Sequence, residues 1–489
     1  MNRKFQWRGY LVIFFLCIAI IGLLSRLLDL NLMNRHFLLQ QSDARILRVI
    51  DMPAHRGMIT DRLGSVLALS SPVYSAWINP KYFDPGIKQL RELSMLLHLP
   101  VSTIEARADA SKKAFVYLKR KNPPDLMARI KALQVPGLHF QMDYQRFYPE
   151  GEGASQVLGI TNIDDRGQEG LELAYNNWLS GTVGKKEVLK DRLGHIISEV
   201  ALLKKPQEGR DLTLSIDHRI QYIAYRALKE QVEQFHAKAG SIVVLNAKTG
   251  EILAMANLPS YNPNGRMNEP PNNLRNRAVT DSFEPGSTMK PFTITLALES
   301  GQYTTKSLID THPGYMRVGG YEIKDDFRDN GVIDLQKILE VSSNIGAAKI
   351  LLSLPPNKLW DLLRRLGFGE RTDSGFPGES PGKLTPHDVW YKSDIATLAY
   401  GYGIAVTTLQ LAHAYSILAD GGLRLPITFL KLDTAPAGQQ VIPKKVAREV
   451  DVMLQDVVTN GTGKLAQVPG YSVAGKTGTS YVATAQGYD

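Results

Sequence analysis

The chain has 489 residues, of which 44% are hydrophobic and 21% charged, with a formal net charge of +9. This composition is typical of folded globular proteins, and the length predicts roughly three units of about 150 residues each. The net positive charge is compatible with an anionic partner such as a nucleic acid, a membrane surface or a wall polymer. However, no zinc-finger spacing, RNA-recognition motif or dense basic run is present, which argues against nucleic-acid binding. The single cysteine, Cys17, excludes an intramolecular disulfide. The histidines lack metal-ligand spacing, so we expect no metal and no cofactor.

The first predicted element is an apolar helix near the N-terminus. Residues Gly9–Leu24 carry no charge, and Arg3, Lys4 and Arg8 precede them. About 20 apolar residues span a bilayer, and basic flanks stay in the cytoplasm, so residues 1–33 are predicted to be a cytoplasmic tail and membrane anchor with the remainder exported. A cleaved signal peptide shares this pattern, but no small-residue cleavage site follows the run. The sequence therefore favours an uncleaved anchor.

The sequence pattern of the part predicted to be exported changes near residue 209. Residues 34–208 mix short strand-like runs with turns and are predicted to be a separate, non-catalytic unit. After Arg210 come a short strand and an amphipathic helix, and then Gly240–Asn257 has the pattern of a β-hairpin. A strand pair followed by many helices predicts an α/β or α+β domain over residues 209–489.

The first motif that carries chemistry is Ser287-Thr288-Met289-Lys290. Residues three apart share one face of a helix, so the Lys290 amine is predicted to reach the Ser287 hydroxyl. Pro291 is tolerated only in the first turn of a helix, which places Ser287 at the helix N-terminus, where free N–H groups stabilise an oxyanion. A second S-x-x-K match, 380–383, contains Pro and Gly, and we interpret it as a loop.

The second motif is Ser342-Ser343-Asn344, which lies between two predicted helices. Serine and asparagine are favoured helix N-caps, so by itself this motif predicts only a cap. A catalytic interpretation depends on the other two motifs.

The third motif is Lys476-Thr477-Gly478-Thr479, in a strand-like run from Tyr471 to Ala483. An ammonium group and two hydroxyl groups suit a carboxylate ligand, and Gly478 allows close approach of a substrate backbone. The tripeptide also occurs at 248–250, but there it is predicted to lie in the hairpin turn, where glycine is expected.

The order S-x-x-K, S-x-N, K-T-G is far more specific than any one of its members. On these three motifs the chain resembles the class B penicillin-binding proteins, most closely their septal cell-division peptidoglycan D,D-transpeptidases. The resemblance extends to an earlier segment, Arg56–Ala68, and to Arg146, Tyr148, Gly170 and Glu172, which match non-catalytic motifs. It implies a transpeptidase fold with an antiparallel sheet flanked by helices, an elongated N-terminal pedestal domain and one transmembrane helix.

The resemblance also implies roles for individual residues. It makes Ser287 the nucleophile, Lys290 the general base and Ser342 a proton relay, with Asn344 positioning the substrate amide. It assigns oxyanion stabilisation to the backbone N–H groups of Ser287 and Thr479. The catalytic residues so implied are Ser287, Lys290, Ser342, Asn344 and Lys476, and the substrate-binding residues are Thr477, Gly478 and Thr479.

The activity implied is cross-linking of peptidoglycan stem peptides at the septum through a serine acyl-enzyme that β-lactams inhibit. A D,D-carboxypeptidase, a β-lactamase-like hydrolase, and a divisome scaffold or β-lactam sensor remain as alternatives. The expected partners are D-Ala-D-Ala stem peptides, β-lactams, a membrane glycosyltransferase and other divisome proteins. The expected location is the bacterial inner membrane, with most of the chain periplasmic.

One departure from the family pattern concerns the end of the sequence. In the family, further strands and a helix follow the K-T-G strand, whereas this sequence stops at Asp489. We therefore expect a C-terminally truncated transpeptidase domain whose Lys476 strand lacks its sheet neighbour.

Overall fold

The structure is a computed structural model that describes residues 6–30, 47–109, 115–191, 196–265, 269–326, 329–481, 483–484 and 487–488. The chain forms two compact units, each built from several segments. The smaller unit consists of Met1–His55, Ser71–Gln145 and Gly181–Gly209, and the larger of Arg56–Ser70, Arg146–Ser180 and Arg210–Asp489. The domain boundaries at residues 33 and 208 stay predictions.

The described residues contain both helices and short strands, as an α/β or α+β chain requires. The helices are α1 Gln6–Leu28, α2 Ile87–Leu97, α3 Val101–Ala108, α4 Pro124–Ala132, α5 Ser155–Leu158, α6 Gly170–Ala174, α7 Asn176–Leu179, α8 His218–Gln234, α9 Pro271–Leu274, α10 Arg277–Thr280, α11 Lys290–Glu299, α12 Leu335–Glu340, α13 Asn344–Leu352, α14 Pro356–Arg365, α15 Lys392–Leu398, α16 Thr408–Ala419 and α17 Lys444–Thr459. The strands are β1 Leu47–Met52, β2 Ile59–Thr60, β3 Val66–Ile78, β4 Val116–Asn122, β5 Leu138–Phe147, β6 Gly184–Lys190, β7 Ile196–Lys204, β8 Leu212–Thr213, β9 Gly240–Leu245, β10 Ile252–Leu258, β11 Ser282–Phe283, β12 Leu308–Asp310, β13 Tyr315–Val318, β14 Tyr321–Lys324, β15 Val332–Asp334, β16 Val406–Thr407, β17 Leu423–Arg424, β18 Gln439–Gln440, β19 Ala483–Thr484 and β20 Gly487–Tyr488.

Helix α1 is the apolar helix that the sequence predicts. Among the described residues it is the one helix long and apolar enough to cross a membrane, over Trp7–Leu28. Its large apolar side chains are exposed, including Phe14, Phe15 and Ile21. An exposed apolar helix of this length is long enough to cross the hydrocarbon core of a bilayer.

The smaller unit contains two sets of strands. Strands β1, β6 and β7 form one antiparallel sheet. The second half of β3 pairs with β4, and helices α2, α3 and α4 supply much of the apolar core beside it. Ile78, Leu93, Leu97 and Ile104 are fully buried there. Alternation along β3 and helical spacing along α2 place these side chains on the inner faces.

The larger unit includes the predicted hairpin. Strands β9 and β10 pair antiparallel, with Gly250 at φ +75° in the turn between them. Helix α8 packs on β10 through Ala224 and Leu228. The helix starts at its N-cap, where the Asp217 side chain accepts a hydrogen bond from the Arg219 N–H. The hairpin and the helix are thus confirmed.

Helix α11 lies at the centre of the larger unit's helical core. Residues from Lys290 to Leu298 are all buried along this helix. Its apolar side chains, such as Phe292 and Ile294, join one cluster with residues of α12, α13, α14, α16 and α17. A helix that is apolar on nearly every face is stable only when other apolar side chains surround it. The packing therefore fixes the position of the residues at the N-terminus of this helix.

The earlier motifs of the larger unit converge on one buried carboxylate. Glu172 pairs with Arg56 and with Arg146, each at 2.6 Å, and all three side chains are almost completely buried. Arg56 and Arg146 also donate to Asp165 O and Gly57 O. A buried charge is tolerated when it is paired and hydrogen-bonded in this way. These residues hold together segments that are distant in the sequence.

Candidate active site

Ser287 occupies a single 3-10 turn, Gly286–Met289, directly before α11. Pro291 is in the first turn of the helix, as the sequence predicts. Gly286 has φ +58°, a conformation that favours glycine. Ser287 therefore stands at the N-terminal end of a buried helix.

Lys290 is the centre of the polar contacts in this site. Its side chain is fully buried, and its Nζ lies 2.9 Å from Ser287 Oγ, 3.0 Å from Ser342 Oγ and 2.8 Å from Asn344 Oδ1. The Nζ also donates to the carbonyl oxygen of Ser342. The first two motifs thus meet around one amine group.

The S-x-N motif forms the connection between α12 and α13. Ser342 has φ +61°, which is strained for a residue other than glycine. Ser343 is the N-cap of α13, and its Oγ accepts from the Gly346 N–H at 2.9 Å. Asn344 donates through Nδ2 to Lys324 O at 2.8 Å. The cap predicted from sequence is confirmed, and it directs Ser342 and Asn344 towards Lys290.

Asp325 holds this connection in place. Its buried carboxylate accepts hydrogen bonds from Ser343 Oγ at 2.6 Å, from the Asn344 N–H at 2.6 Å and from the Ile345 N–H at 3.0 Å. Asn330 donates to it at 2.8 Å. A carboxylate at a helix N-terminus satisfies free N–H groups and favours the helix dipole. Asp325 was not predicted from the sequence, because an acidic residue before a turn gives little signal alone.

The K-T-G segment lies beside the Ser287 turn. A Cβ on Gly478 would meet Thr288 Cγ2 at 2.7 Å, and a Cβ on Gly286 would meet the Thr479 carbonyl oxygen at 2.4 Å. The two segments can approach this closely because both positions are glycine and carry no Cβ. The third motif therefore converges with the first, although nearly two hundred residues separate them in the sequence.

The secondary structure of the K-T-G segment differs from the prediction. The sequence predicts a strand from Tyr471 to Ala483, but residues 472–481 form no strand. The prediction is wrong there because a strand requires a hydrogen-bonded neighbour, and no described strand pairs with these residues. Within the segment, Lys476 Nζ donates to Thr477 O at 3.0 Å, and the Thr477 and Thr462 hydroxyl groups lie 2.9 Å apart.

The environment changes the protonation of both lysines. Burial, with the positive charge of Lys476 nearby, lowers the pKa of Lys290 to about 7, while Asp325 and Asp326 oppose the shift. Burial lowers the pKa of Lys476 to about 8, opposed by Asp326. Near neutral pH a substantial fraction of Lys290 is therefore an uncharged amine, while most of Lys476 keeps its charge.

Two further groups support the nucleophile turn and were not predicted. The partly buried Tyr415 of α16 donates its hydroxyl proton to the Thr288 carbonyl oxygen at 2.8 Å. The Gly286 N–H donates to Gly401 O at 3.2 Å. Gly401 is outside the helix and touches the site.

One group of side chains has metal-ligand chemistry. Ligand atoms of Asp61, Asp217 and His218 lie within 4.8 Å of one another. Both carboxylate oxygens of Asp217 already bind Arg219, and Asp61 binds His218 at 2.6 Å. These contacts satisfy the group without an ion.

The arrangement of Ser287, Lys290 and the K-T-G segment is that of a penicillin-recognising serine enzyme. Residues 240–489 match the penicillin-binding protein transpeptidase domain, and residues 51–214 match the penicillin-binding protein dimerisation domain. The chain belongs to the class B penicillin-binding proteins.

Named relatives match over nearly all of the chain. The probable peptidoglycan D,D-transpeptidase PbpC of Pseudomonas aeruginosa is 41% identical, over 100% of this chain and 86% of the relative. The peptidoglycan D,D-transpeptidase FtsI of Escherichia coli is 38% identical, over 97% of this chain and 81% of the relative. The crystal structure of penicillin-binding protein 3 from Mycobacterium tuberculosis, complexed with aztreonam, is 27% identical with a TM-score of 0.68, over 90% of this chain and 85% of that one.

Proposed function

We propose that this protein is a peptidoglycan D,D-transpeptidase that forms an acyl-enzyme at Ser287 and is inhibited by β-lactams. The observation that carries the proposal is the position of Lys290 Nζ, within hydrogen-bonding distance of Ser287 Oγ, Ser342 Oγ and Asn344 Oδ1. The names of the relatives PbpC and FtsI support the same reaction and the same substrate class.

In the proposed acylation, the uncharged amine of Lys290 takes the hydroxyl proton of Ser287 as Oγ attacks the penultimate D-alanine carbonyl. The lowered pKa of Lys290 makes this transfer feasible near pH 7. Burial supplies the shift first, and the charge of Lys476 adds to it. The alkoxide that develops on the substrate needs donors at the helix N-terminus, which we assign to the backbone N–H groups of Ser287 and Thr479.

The tetrahedral intermediate then expels the terminal D-alanine. Its leaving nitrogen needs a proton, which we assign to Lys290 acting through the Ser342 hydroxyl, 3.0 Å from Nζ. The C–N bond breaks, an ester to Ser287 remains, and Lys290 is uncharged again. Asn344 would hold the substrate amide and orient Lys290. Each proton removed from Ser287 is thus returned to the leaving group.

The substrate carboxylate is assigned to the third motif. Lys476 supplies positive charge, and Thr477 and Thr479 supply hydroxyl donors beside Gly478.

A primary amine of a second stem peptide then attacks the ester, which forms the cross-link and frees Ser287. Attack by water instead gives D,D-carboxypeptidase activity, and rapid attack of water on a penicilloyl ester gives β-lactamase activity. These alternatives differ only in the second nucleophile or in the acylating ligand.

We also propose a cellular location for the protein and a role for each of its two exported domains. Helix α1, preceded by basic residues, is assigned as an anchor in the bacterial inner membrane with the remainder periplasmic. Residues 34–208 are assigned to a non-catalytic pedestal and residues 209–489 to catalysis. The resemblance of the motifs to septal transpeptidases suggests cell division as the setting, and we propose a membrane glycosyltransferase and other divisome proteins as partners.

The test is labelling of the membrane-inserted protein with fluorescent penicillin, followed by mass spectrometry of the labelled peptide. We expect one adduct on Ser287 and no labelling of Ser287→Ala. Label elsewhere, or equal labelling of Ser287→Ala, would refute the assignment. A strain that grows normally with Ser287→Ala would favour a scaffold, and rapid penicillin turnover would favour a β-lactamase.

A further inference from the structure

A cavity of about 710 Å³ opens beside the active site, on the side of Asn344. Its lining includes Tyr321 and Glu322 of strand β14, together with Tyr391 and Asp394 at the start of α15. Asn344 belongs to both sites, because its Oδ1 contacts Lys290 while the residue also lines the cavity. A ligand bound near Asn344 therefore extends into the cavity without a break.

The two carboxylates of the cavity differ in their partners. Glu322 is paired at 2.7 Å with Lys324, which also lines the cavity, and at 3.3 Å with Arg317, so the charges of Glu322 and Lys324 compensate each other. Asp394 accepts the Tyr391 N–H at 2.9 Å, and no ion pair joins it to a basic side chain in the part of the chain that the structure describes. One negative charge is therefore available to a ligand.

The cavity wall is also rich in tyrosine. Tyr321 and Tyr391 are 66% and 76% exposed, and the rings of Tyr400 and Tyr402 meet edge to face with centroids 5.7 Å apart. Aromatic faces attract cations, and an adjacent carboxylate adds to that attraction. This chemistry fits an ammonium group on a flexible side chain better than an anion or a purely apolar group.

We propose that this cavity binds the side-chain ammonium group of a stem peptide, with Asp394 as the counter-charge and Tyr321 and Tyr391 as aromatic walls. The assignment rests on the proposed transpeptidase function and names a specificity determinant for it. Continuity through Asn344 favours the donor peptide, whose amide that residue would hold. The acceptor peptide carries the same ammonium chemistry, so the experiment separates the two sources.

The charge of Asp394 is tested with Asp394→Asn, which keeps an oxygen for the Tyr391 N–H and removes the charge. Asp394→Glu keeps the charge. Asp388→Asn is the matched control, because Asp388 is an exposed carboxylate of the same region that does not line the cavity. Tyr321→Ala tests the aromatic wall, with Tyr315→Ala, on the paired strand β13 but outside the cavity, as its control.

The full-length protein is assayed with two pentapeptides that end in D-Ala-D-Ala, one with a free side-chain amine at the third residue and one with that amine acetylated. The donor arm compares kcat/KM for D-alanine release from the two. The acceptor arm uses the acetylated donor and measures KM for a tripeptide with a free amine. If the cavity takes the donor, the wild type should prefer the free-amine donor by about threefold to tenfold, and Asp394→Asn should lose that preference. If the cavity takes the acceptor, Asp394→Asn should instead raise KM for the tripeptide by about the same factor.

Penicillin labelling of Ser287 serves as the separate test of the proposed function. Normal labelling of Asp394→Asn with an unchanged donor preference and an unchanged KM for the tripeptide would overturn the cavity assignment while leaving the transpeptidase function intact. Absence of labelling in the wild type would instead refute the function. If Asp394→Asn itself loses labelling, Tyr321→Ala decides, and an unchanged preference in that variant overturns the proposal. Asp394→Glu and both control variants should keep the preference.

Discussion

Asp325 and Ser343 are joined by a hydrogen bond of 2.6 Å between a buried carboxylate and a hydroxyl group. The same carboxylate accepts the N–H groups of Asn344 and Ile345. These contacts cap α13 and hold the connection in which Ser342 has a positive φ. The orientation of Ser342 and Asn344 towards Lys290 therefore depends on a residue outside the three motifs.

Asp325→Asn should weaken this connection. The amide puts an NH₂ group in place of one acceptor oxygen, so a buried donor faces another donor. We expect a loss of about 2 kcal/mol in unfolding free energy and roughly a tenfold lower rate of acylation by penicillin. The measurements are thermal unfolding and stopped-flow acylation. Asp326→Asn is the control, because Asp326 affects the pKa of Lys290 but is exposed. Equal destabilisation by both variants would contradict the explanation.

The pH dependence of acylation should be bell-shaped. The rate rises with pH as Lys290 loses its proton, because its pKa is lowered to about 7 and only the uncharged amine accepts a proton. It falls as Lys476 loses its charge, since the pKa of that group is lowered to about 8. The measurement is the second-order acylation rate constant between pH 5.5 and 10, roughly the span in which both limbs are visible.

Lys476→Gln separates the two limbs of that profile. It removes the positive charge that helps to lower the pKa of Lys290, so the acid limb should move to higher pH and the alkaline limb should disappear. Lys476→Arg keeps the charge and should leave the acid limb in place. A profile whose acid limb is unchanged in Lys476→Gln would show that this charge does not act on Lys290.

Gly286→Ala should abolish close packing of the third motif. The new Cβ would lie 2.4 Å from the Thr479 carbonyl oxygen, so the K-T-G segment has to move away from Ser287. We expect acylation to fall by about two orders of magnitude or more. Gly301→Ala is the matched control, because Gly301 also has a positive φ, +71°, but its Cβ would meet nothing within 4 Å. Comparable losses in both variants would point to backbone strain instead.

Tyr415→Phe should loosen the nucleophile turn. It removes the hydroxyl group that binds the Thr288 carbonyl oxygen at 2.8 Å and leaves that oxygen without this partner. We expect about 1–2 kcal/mol lower stability and a severalfold lower acylation rate. Tyr303→Phe is the control, because it also removes a hydrogen-bonded hydroxyl group, but one whose partner is Ser353 and not the nucleophile turn. The explanation fails if Tyr303→Phe slows acylation as much as Tyr415→Phe does.

Much of the local structure was predictable from short patterns. Pro291 predicted the start of α11, Ser343 predicted a cap, and the two apolar runs joined by a turn in residues 240–257 predicted the hairpin. Each of these depends on interactions within a few residues, which sequence patterns report directly. The strand predicted around Lys476 was wrong because a strand needs a neighbour, which the segment itself does not supply.

The sequence by itself determined which groups are present: a serine, two lysines and an amide in an order that identifies the family, with an apolar helix near the N-terminus. Only the tertiary structure decided that Lys290 is buried among Ser287, Ser342 and Asn344, and that Asp325 supports them. It also decided the charge of Lys290, because a pKa depends on burial and on neighbouring charges from distant segments. Those neighbours come together through packing between elements, and no local pattern encodes that packing.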